Sequence, residues 1–258
     1  MQIYTLGTSH GNSTATRFNS STAYETDGVI YLVDCGAPCE ALLRRKGLQV
    51  KDVRALFVTH MHDDHAGGIT GLIKQVVKYP QGRAWPLELY LPEESAIAAL
   101  TGWFAALHEP YDSPLLQYRA VEDGCFYEDE NLRVTAVRTQ HLRTRGRTEG
   151  DPCSFAYILD FKKEGRTVLH TGDLRGDFTD FPAKQAQERR YDVCLCEATH
   201  YPPEAALPYL AQARFAQLVF IHIGDRWHEP GGEEALTAYF AALDYPVCVA
   251  HDGDEFMI

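Results

Sequence analysis

The stretch Thr59-His60-Met61-His62-Asp63-Asp64-His65-Ala66-Gly67-Gly68 concentrates imidazole and carboxylate side chains in front of two glycines. Histidine nitrogen and aspartate oxygen are preferred ligands of zinc and similar divalent ions. The preceding segment 53–59, VRALFVT, is apolar and β-branched, which predicts a buried strand that ends at the cluster. The alternative is a solvated loop rich in histidine. The density and the strand end favour a metal site, with the glycines allowing a tight turn before a helix.

Length, charge and cysteine content limit the class of protein. The 258 residues, with 45% apolar content, suit a globular chain, and we predict a single domain over 1–258. The net charge of −12 disfavours long nucleic acid as a partner, whereas a small anionic substrate at a metal site is compatible with it. No membrane-spanning run is seen, and seven scattered cysteines favour a reducing cytoplasm. Cys194 and Cys196 would share one face of a strand, which suits buried free thiols, with a redox or metal role as the alternative.

Hydrophobic periodicity predicts strands and helices in both halves of the chain. The predicted strands are 2–7, 20–25, 28–34, 55–59, 87–91, 132–139, 154–161, 166–171, 193–196, 218–223 and 247–250. The predicted helices are 39–46, 69–79, 92–107 with Pro92 at its first position, 183–189, 204–213 and 233–243. Two strand-rich halves with helices outside predict an α/β fold of stacked sheets.

Further ligand-type residues occur at the ends of later strands. His141 follows one predicted strand, Asp173 follows another, and His222 lies near the end of a third. Each of these residues, taken alone, could instead be a structural residue held by hydrogen bonds. Together with the first cluster they favour one metal site, because rigid strands hold ligands accurately.

This ordered set of residues resembles the metallo-β-lactamase superfamily over the whole chain, as do the segments 6–8 (LGT) and 32–36 (LVDCG). The resemblance implies a four-layer αβ/βα sandwich with a site for two divalent metals at one sheet edge. It implies one metal held by His60, His62 and His141, a second held by Asp64, His65 and His222, and Asp173 as the bridge.

The expected metal is zinc, with manganese or iron as alternatives. Two ions can activate a bridging hydroxide for attack on a phosphodiester. We expect Asp64 to be both ligand and catalytic residue. Asp34 is expected either to orient a ligand imidazole or to cap the end of its strand.

Within the superfamily, the ribonuclease Z-like branch is the most similar. The segment 191–199 (YDVCLCEAT) is similar to that branch's segment ending in His-Glu-Ala-Thr, with Cys196 in place of the histidine. The segments 222–227 (HIGDRW) and 250–253 (AHDG) resemble its two closing motifs. The branch's His-Ser-Thr loop and its basic arm have no counterpart, so full transfer-RNA 3′ processing is disfavoured.

Without that loop, another group must supply the proton to the leaving oxygen. His200 with Glu197 as its partner is our prediction, because the pKa of histidine lies near working pH. An ordinary exposed loop histidine is the alternative for His200. His10 and His251 are further candidates, and His251 also competes with His222 as the last ligand.

Substrate contacts are predicted from arginines. Arg143, Arg145 and Arg147 form a basic run after His141 that would clamp an anion, with a solvated charge run as the alternative. Arg226 is a further candidate. The aromatic residues of 93–118 (Trp103, Phe104, Tyr111 and Tyr118) predict a lid over the site, helix core, or the contact of a homodimer.

These expectations combine into a metal-dependent hydrolase, a phosphodiesterase for small nucleotide-like phosphodiesters. The first alternative is a carboxylic-ester, lactone or thioester hydrolase with the same site. The second, from a different class, is a non-catalytic metal-dependent binder or sensor.

Overall fold

The computed structural model describes residues 1–109, 112–142 and 153–258, which form two compact units. The first unit comprises Met1–Val121 with His251–Met257, and the second comprises Glu122–Ala250 with Ile258. Each unit has its own seven-stranded sheet. The single domain over 1–258 stays a prediction.

Strands and helices alternate along much of the chain. The strands are β1 (Gln2–Gly7), β2 (Ser21–Thr26), β3 (Val29–Val33), β4 (Val53–Phe57), β5 (Leu87–Leu91), β6 (Leu116–Ala120), β7 (Gly124–Glu128), β8 (Leu132–Arg138), β9 (Phe155–Phe161), β10 (Arg166–His170), β11 (Val193–Ala198), β12 (Leu218–Ile223), β13 (Val247–Val249) and β14 (Asp254–Met257). The helices are α1 (Cys39–Arg45), α2 (Asp63–Ala66), α3 (Ile69–Lys78), α4 (Glu94–Ala106), α5 (Ala183–Glu188), α6 (Pro203–Leu210) and α7 (Gly232–Tyr239). Within the described ranges, no helix combines the length and apolar character that crossing a membrane requires.

The sheet of the first unit has the order β14-β1-β2-β3-β4-β5-β6. Strands β3 to β6 are parallel, and the others pair antiparallel. Helices α1, α3 and α4 contribute Leu43, Ile73 and Phe104 to one buried cluster with sheet residues. Because β3 and β4 are parallel neighbours, Asp34 and Thr59 follow their carboxyl ends at the same edge.

The sheet of the second unit has the order β13-β12-β11-β10-β9-β8-β7. Strands β10 to β13 are parallel, and β8 runs in the direction of β10 because both pair antiparallel with β9. Helices α5, α6 and α7 bury Ala186, Leu210 and Leu236 in one core. The segments that follow β8, β10 and β11 therefore leave the same edge of this sheet.

Most predicted elements are confirmed with shifts of a few residues at their ends, and four differences have clear causes. Helix α4 begins at Glu94 and not at Pro92, because Glu93 is extended (φ −157°, ψ 156°). The prediction of Pro92 at the first helical position is therefore wrong. Strands β6, β7 and β14 were not predicted; all three are edge strands with exposed polar positions, whose pattern resembles a loop.

Candidate metal centre

The first unit gathers His60, His62, Asp64 and His65, here called the first donor group. The imidazole ring of His60 lies 4.6 Å from that of His62 and 4.1 Å from that of His65, between centroids. The Nε2 atom of His60 is 3.0 Å from Nδ1 of His62. His60, Asp64 and His65 are buried, whereas His62 is exposed. The predicted ligands of this segment thus converge around one point at the end of β4.

Asp34 orients one of these imidazoles. Its Oδ2 is 2.7 Å from Nδ1 of His65, and its carboxylate also accepts hydrogen bonds from the Thr59 backbone N–H (2.7 Å) and hydroxyl (2.9 Å). A proton on Nδ1 places the remaining ring lone pair on Nε2, the arrangement typical of a ligating histidine. Asp34 thus contacts both His65 and the chain leaving the next strand, and its role behind a metal ligand stays a prediction.

The two glycines after this group are required by close packing. Gly67 and Gly68 form the predicted turn before α3, but their φ values of −62° and −86° are ordinary helical ones that do not require glycine. A Cβ on Gly68 would lie 2.8 Å from the carbonyl oxygens of Cys35 and Gly36. The loop after β3 therefore packs directly against the backbone at the start of α3.

We predict that Gly68→Ala destabilises the protein by about 1–3 kcal/mol, because backbone atoms must shift to admit the methyl group. Thermal or denaturant unfolding followed by circular dichroism measures this. Gly102→Ala is the matched control, because a Cβ there meets nothing within 4 Å and helix α4 favours alanine. Equal stability of Gly68→Ala and wild type would contradict the packing argument.

Two segments that carried the family resemblance meet in the first unit. Asp252 accepts hydrogen bonds from the Thr8 backbone N–H (2.8 Å) and hydroxyl (2.7 Å) and from the Phe18 N–H (2.6 Å). Burial raises the pKa of Asp252, and these bonds oppose that shift. The closing motif therefore fastens the loop that follows β1.

The second unit gathers His141, Asp173, His200 and His222, here called the second donor group. Oδ2 of Asp173 is 3.4 Å from Nε2 of His222, 3.6 Å from Nε2 of His141 and 3.8 Å from Nδ1 of His200. Donor atoms of Asp173, His200 and His222 all lie within 4.8 Å of one another. Asp173 is 2% exposed. One buried carboxylate thus stands among three imidazoles.

His141 is oriented by its neighbours. Its Nδ1 lies 3.2 Å from the carbonyl oxygen of Leu174, which places the other ring lone pair on Nε2, towards Asp173. Asp180 joins the two segments by accepting hydrogen bonds from the N–H groups of Gln140 (2.7 Å) and Arg175 (3.0 Å). Asp180 was missed from the sequence, where nothing distinguishes it from other loop aspartates.

His222 occupies a β-bulge. The pairing of β11 with β12 shifts register so that Glu197 pairs with Ile221 and Ala198 pairs with Ile223. His222 itself has a φ of +49°, which is uncommon for a residue with a side chain. Bulges next to functional sites redirect a side chain, and this one places the His222 ring beside Asp173.

Glu197 and His200 form the predicted pair. Glu197 is 1% exposed, and both of its carboxylate oxygens lie 3.0 Å from Nδ1 of His200. The same carboxylate accepts hydrogen bonds from the backbone N–H groups of Leu174, Thr199 and His200 at 2.8–3.0 Å. The His200 ring is 4.5 Å from that of His141, between centroids. The catalytic role of the pair stays a prediction.

Arg226 and Trp227 hold the loop that carries His200. The guanidinium of Arg226 donates to the carbonyl oxygen of Tyr201 and lies over the Trp227 ring at 4.7 Å. The indole N–H of Trp227 donates to the carbonyl oxygen of Ala198 at 2.8 Å. The structure thus gives Arg226 backbone partners, and its predicted contact with substrate stays a prediction.

Other predicted residues lie elsewhere or beyond the described ranges. His251 is exposed and lies 3.7 Å from Asp254. Phe104 is buried in the core, whereas Trp103 is 57% exposed. Four residues predicted as substrate contacts or lid lie outside the described residues: Tyr111, Arg143, Arg145 and Arg147. Cys194 and Cys196 are buried free thiols, as predicted.

The chemistry of both donor groups suits a divalent metal. Each combines imidazole nitrogens with a buried carboxylate, the set that zinc prefers, with manganese and iron also compatible. In each group, Nδ1 of one imidazole contacts a hydrogen-bond acceptor. The acceptor is Asp34 for His65 and the Leu174 carbonyl oxygen for His141. Such partners fix the ring orientation of metal ligands. These residues therefore fit a metal centre.

Comparison with known proteins finds one matching family model and several similar proteins named ribonuclease Z. The family model described as "Anti-Pycsar protein Apyc1" matches residues 1–206. A ribonuclease Z of Gloeothece citriformis is 33% identical, over 95% of this chain and 82% of that protein. A ribonuclease Z of Pseudomonas putida GB-1 is 39% identical over 75% of this chain. The chain spans 65% of the length of the Pseudomonas protein.

Solved structures agree on the fold. The metallo-β-lactamase fold protein YhfI from Bacillus subtilis superposes with a TM-score of 0.78 at 17% identity, covering 99% of this chain and 98% of that one. The predicted α/β metallo-β-lactamase fold is thereby confirmed. The chain belongs to the family of the Anti-Pycsar protein Apyc1, within the ribonuclease Z-like branch of the metallo-β-lactamase superfamily.

Proposed function

We propose that this chain is a metal-dependent phosphodiesterase that hydrolyses small, nucleotide-like phosphodiesters. The observation that carries the proposal is the placement of His200, held by Glu197, beside Asp173 and two further imidazoles. This arrangement would set metal ligands beside a proton donor, a combination that suits phosphodiester hydrolysis. The relatives' name, ribonuclease Z, supports a phosphodiester as the bond that is cleaved.

In this proposal the two donor groups together hold two divalent ions, zinc in the first place. One ion would be held by His60, His62 and His141, the other by Asp64, His65 and His222, with Asp173 between them. When bound, the ions would supply Lewis-acid activation of water and of the phosphoryl group.

The chain's own residues would orient the reactants and move a proton. Asp34 and the Leu174 carbonyl keep His65 and His141 in one ring orientation. Glu197 holds the Nδ1–H of His200, so when the ring is doubly protonated its Nε2 would carry the proton that passes to the leaving oxygen. Arg226 and Trp227 would maintain the position of this histidine through the backbone around it.

We predict that His200→Ala slows hydrolysis of a diester with a poor leaving group, such as an alkyl ester, by about 10²–10⁴-fold. The p-nitrophenyl ester should slow much less, because its leaving oxygen departs without a proton. Rates of a leaving-group series in metal-loaded protein measure this. His228→Ala is the control, since that histidine lies 3.9 Å from Asp225, three residues before it, as His200 lies beside Glu197. Equal slowing along the series would remove His200 as the acid.

A substrate panel separates the proposal from its alternatives. Turnover of phosphodiesters, with none of p-nitrophenyl acetate, a lactone or a thioester, is the expected result. The reverse preference would establish the ester, lactone or thioester hydrolase. Two bound metals without turnover of any panel member would favour the binder or sensor. Full transfer-RNA processing is not proposed, because a net charge of −12 repels a long polyanion.

A further inference from the structure

A cavity of about 410 Å³ lies beside the second donor group. It is lined by His141, Leu174, Arg175, Gly176, Asp177 and His200. Its volume is within the range of small-molecule sites. Two imidazoles of the donor group, His141 and His200, form part of its wall. A substrate that reacts beside these rings therefore has space to extend towards Arg175.

Arg175 is held in a defined orientation in this wall. Its Nε and Nη2 donate to the two oxygens of Asp177 at 3.2 and 3.0 Å. Hydrogen bonds from Thr179, and then the Arg175 contact, lower the pKa of Asp177 to about 2, so the carboxylate is ionised at neutral pH. The backbone N–H of Arg175 is fixed by Asp180. Because a guanidinium has five N–H donors, the edge that carries Nη1 retains donors for a ligand.

We propose that Arg175 is a specificity-determining residue that binds a phosphate group of the substrate in this cavity. The inference rests on the proposed function, because it assigns the substrate of that same site. A planar guanidinium fork matches the geometry of phosphate oxygens. Asp177 offsets its charge, so recognition works through directed hydrogen bonds more than through a net positive field. The phosphate bound is either the one being cleaved or a second phosphate on the same nucleotide.

Binding of ligands without a cleavable diester tests this inference. Thymidine, thymidine 3′-phosphate and thymidine 3′,5′-bisphosphate are titrated calorimetrically into zinc-loaded wild type and Arg175→Met. We expect a Kd about 10-fold weaker for phosphate-bearing ligands in the variant, with thymidine unchanged. Arg166→Met is the matched control, because Arg166 also pairs with an aspartate, Asp192 at 2.7 Å, but does not line the cavity. If Arg175→Met folds poorly, Arg175→Lys replaces it in the titrations. This variant keeps the charge and loses the planar fork, so its Kd for the phosphate-bearing ligands should be weaker than that of wild type.

The set of ligands whose binding is weakened shows which phosphate Arg175 contacts. Weakening of both phosphate ligands supports contact with the phosphate being cleaved, and weakening of the bisphosphate alone supports a second phosphate. Unchanged binding in Arg175→Met, or an equal loss in Arg166→Met, would overturn the inference. Arg175-dependent binding in a protein that cleaves no diester would contradict the proposed function alone. Cleavage with Arg175-independent binding would contradict this inference alone.

Discussion

Replacing Asp173 with asparagine is expected to lower turnover of a phosphodiester on the order of 10³-fold and to reduce bound metal. The carboxylate lies within 3.8 Å of three imidazoles and is 2% exposed, so it is a buried negative group that these three rings share. Asparagine keeps the volume and removes the charge, so loss of metal would reflect the missing ligand and not a cavity. Initial rates and metal content by atomic emission measure the two effects.

Asp123→Asn is the matched control for this substitution. Asp123 is an exposed aspartate of the same unit whose oxygen lies 3.1 Å from Arg138. Surface pairs of this kind contribute little, so its metal content and rate should equal those of wild type. Full metal content and full rate in Asp173→Asn would remove Asp173 from the proposed site.

Replacing Asp34 with alanine is expected to weaken metal binding by about 10–100-fold, because the variant leaves His65 without its orienting partner. The same change should destabilise the metal-free protein by about 3–5 kcal/mol, since Thr59 and His65 lose a buried charged acceptor. Denaturant unfolding of metal-free protein isolates the second effect, and zinc titration of the folded variant isolates the first.

Asp129→Ala separates the two roles of Asp34. Asp129 also accepts several hydrogen bonds, from the N–H groups of Asn131 and Leu132 and from the Tyr127 hydroxyl, but it lies in the turn between β7 and β8. The Asp129→Ala variant should be less stable than wild type and keep the wild-type affinity for zinc. If Asp34→Ala also kept that affinity, Asp34 would be a structural residue only.

The first donor group could be predicted because its members are close in sequence. The four members of this group, all within residues 60–65 and placed after an apolar strand, can converge through local backbone geometry alone. The strands β11 and β12 were predictable from a different signal, since strands buried in a parallel sheet form nearly continuous apolar runs. The distant His141, Asp173 and His222 were picked out by their positions at strand ends, and the family resemblance supplied their expected roles.

Other parts of the site depend on tertiary structure that no local pattern records. The bulge at His222 arises from a register shift between two strands. Asp180 acts by joining Gln140 and Arg175, which are far apart in sequence. Arg175 becomes a candidate for substrate binding only because it lines the cavity, which the sequence does not show. The close approach of Gly68 to Cys35 likewise appears only once the loop after β3 is folded.

The most direct test of a metal-dependent phosphodiesterase is a zinc titration of activity. The protein is stripped with a chelator and assayed with bis(p-nitrophenyl) phosphate while zinc is returned in known equivalents. We predict no turnover in the stripped protein and a rate that rises to a plateau at about two zinc ions per chain. Turnover that persists after stripping, or two bound zinc ions without turnover of this diester or of any nucleotide diester, would contradict the account.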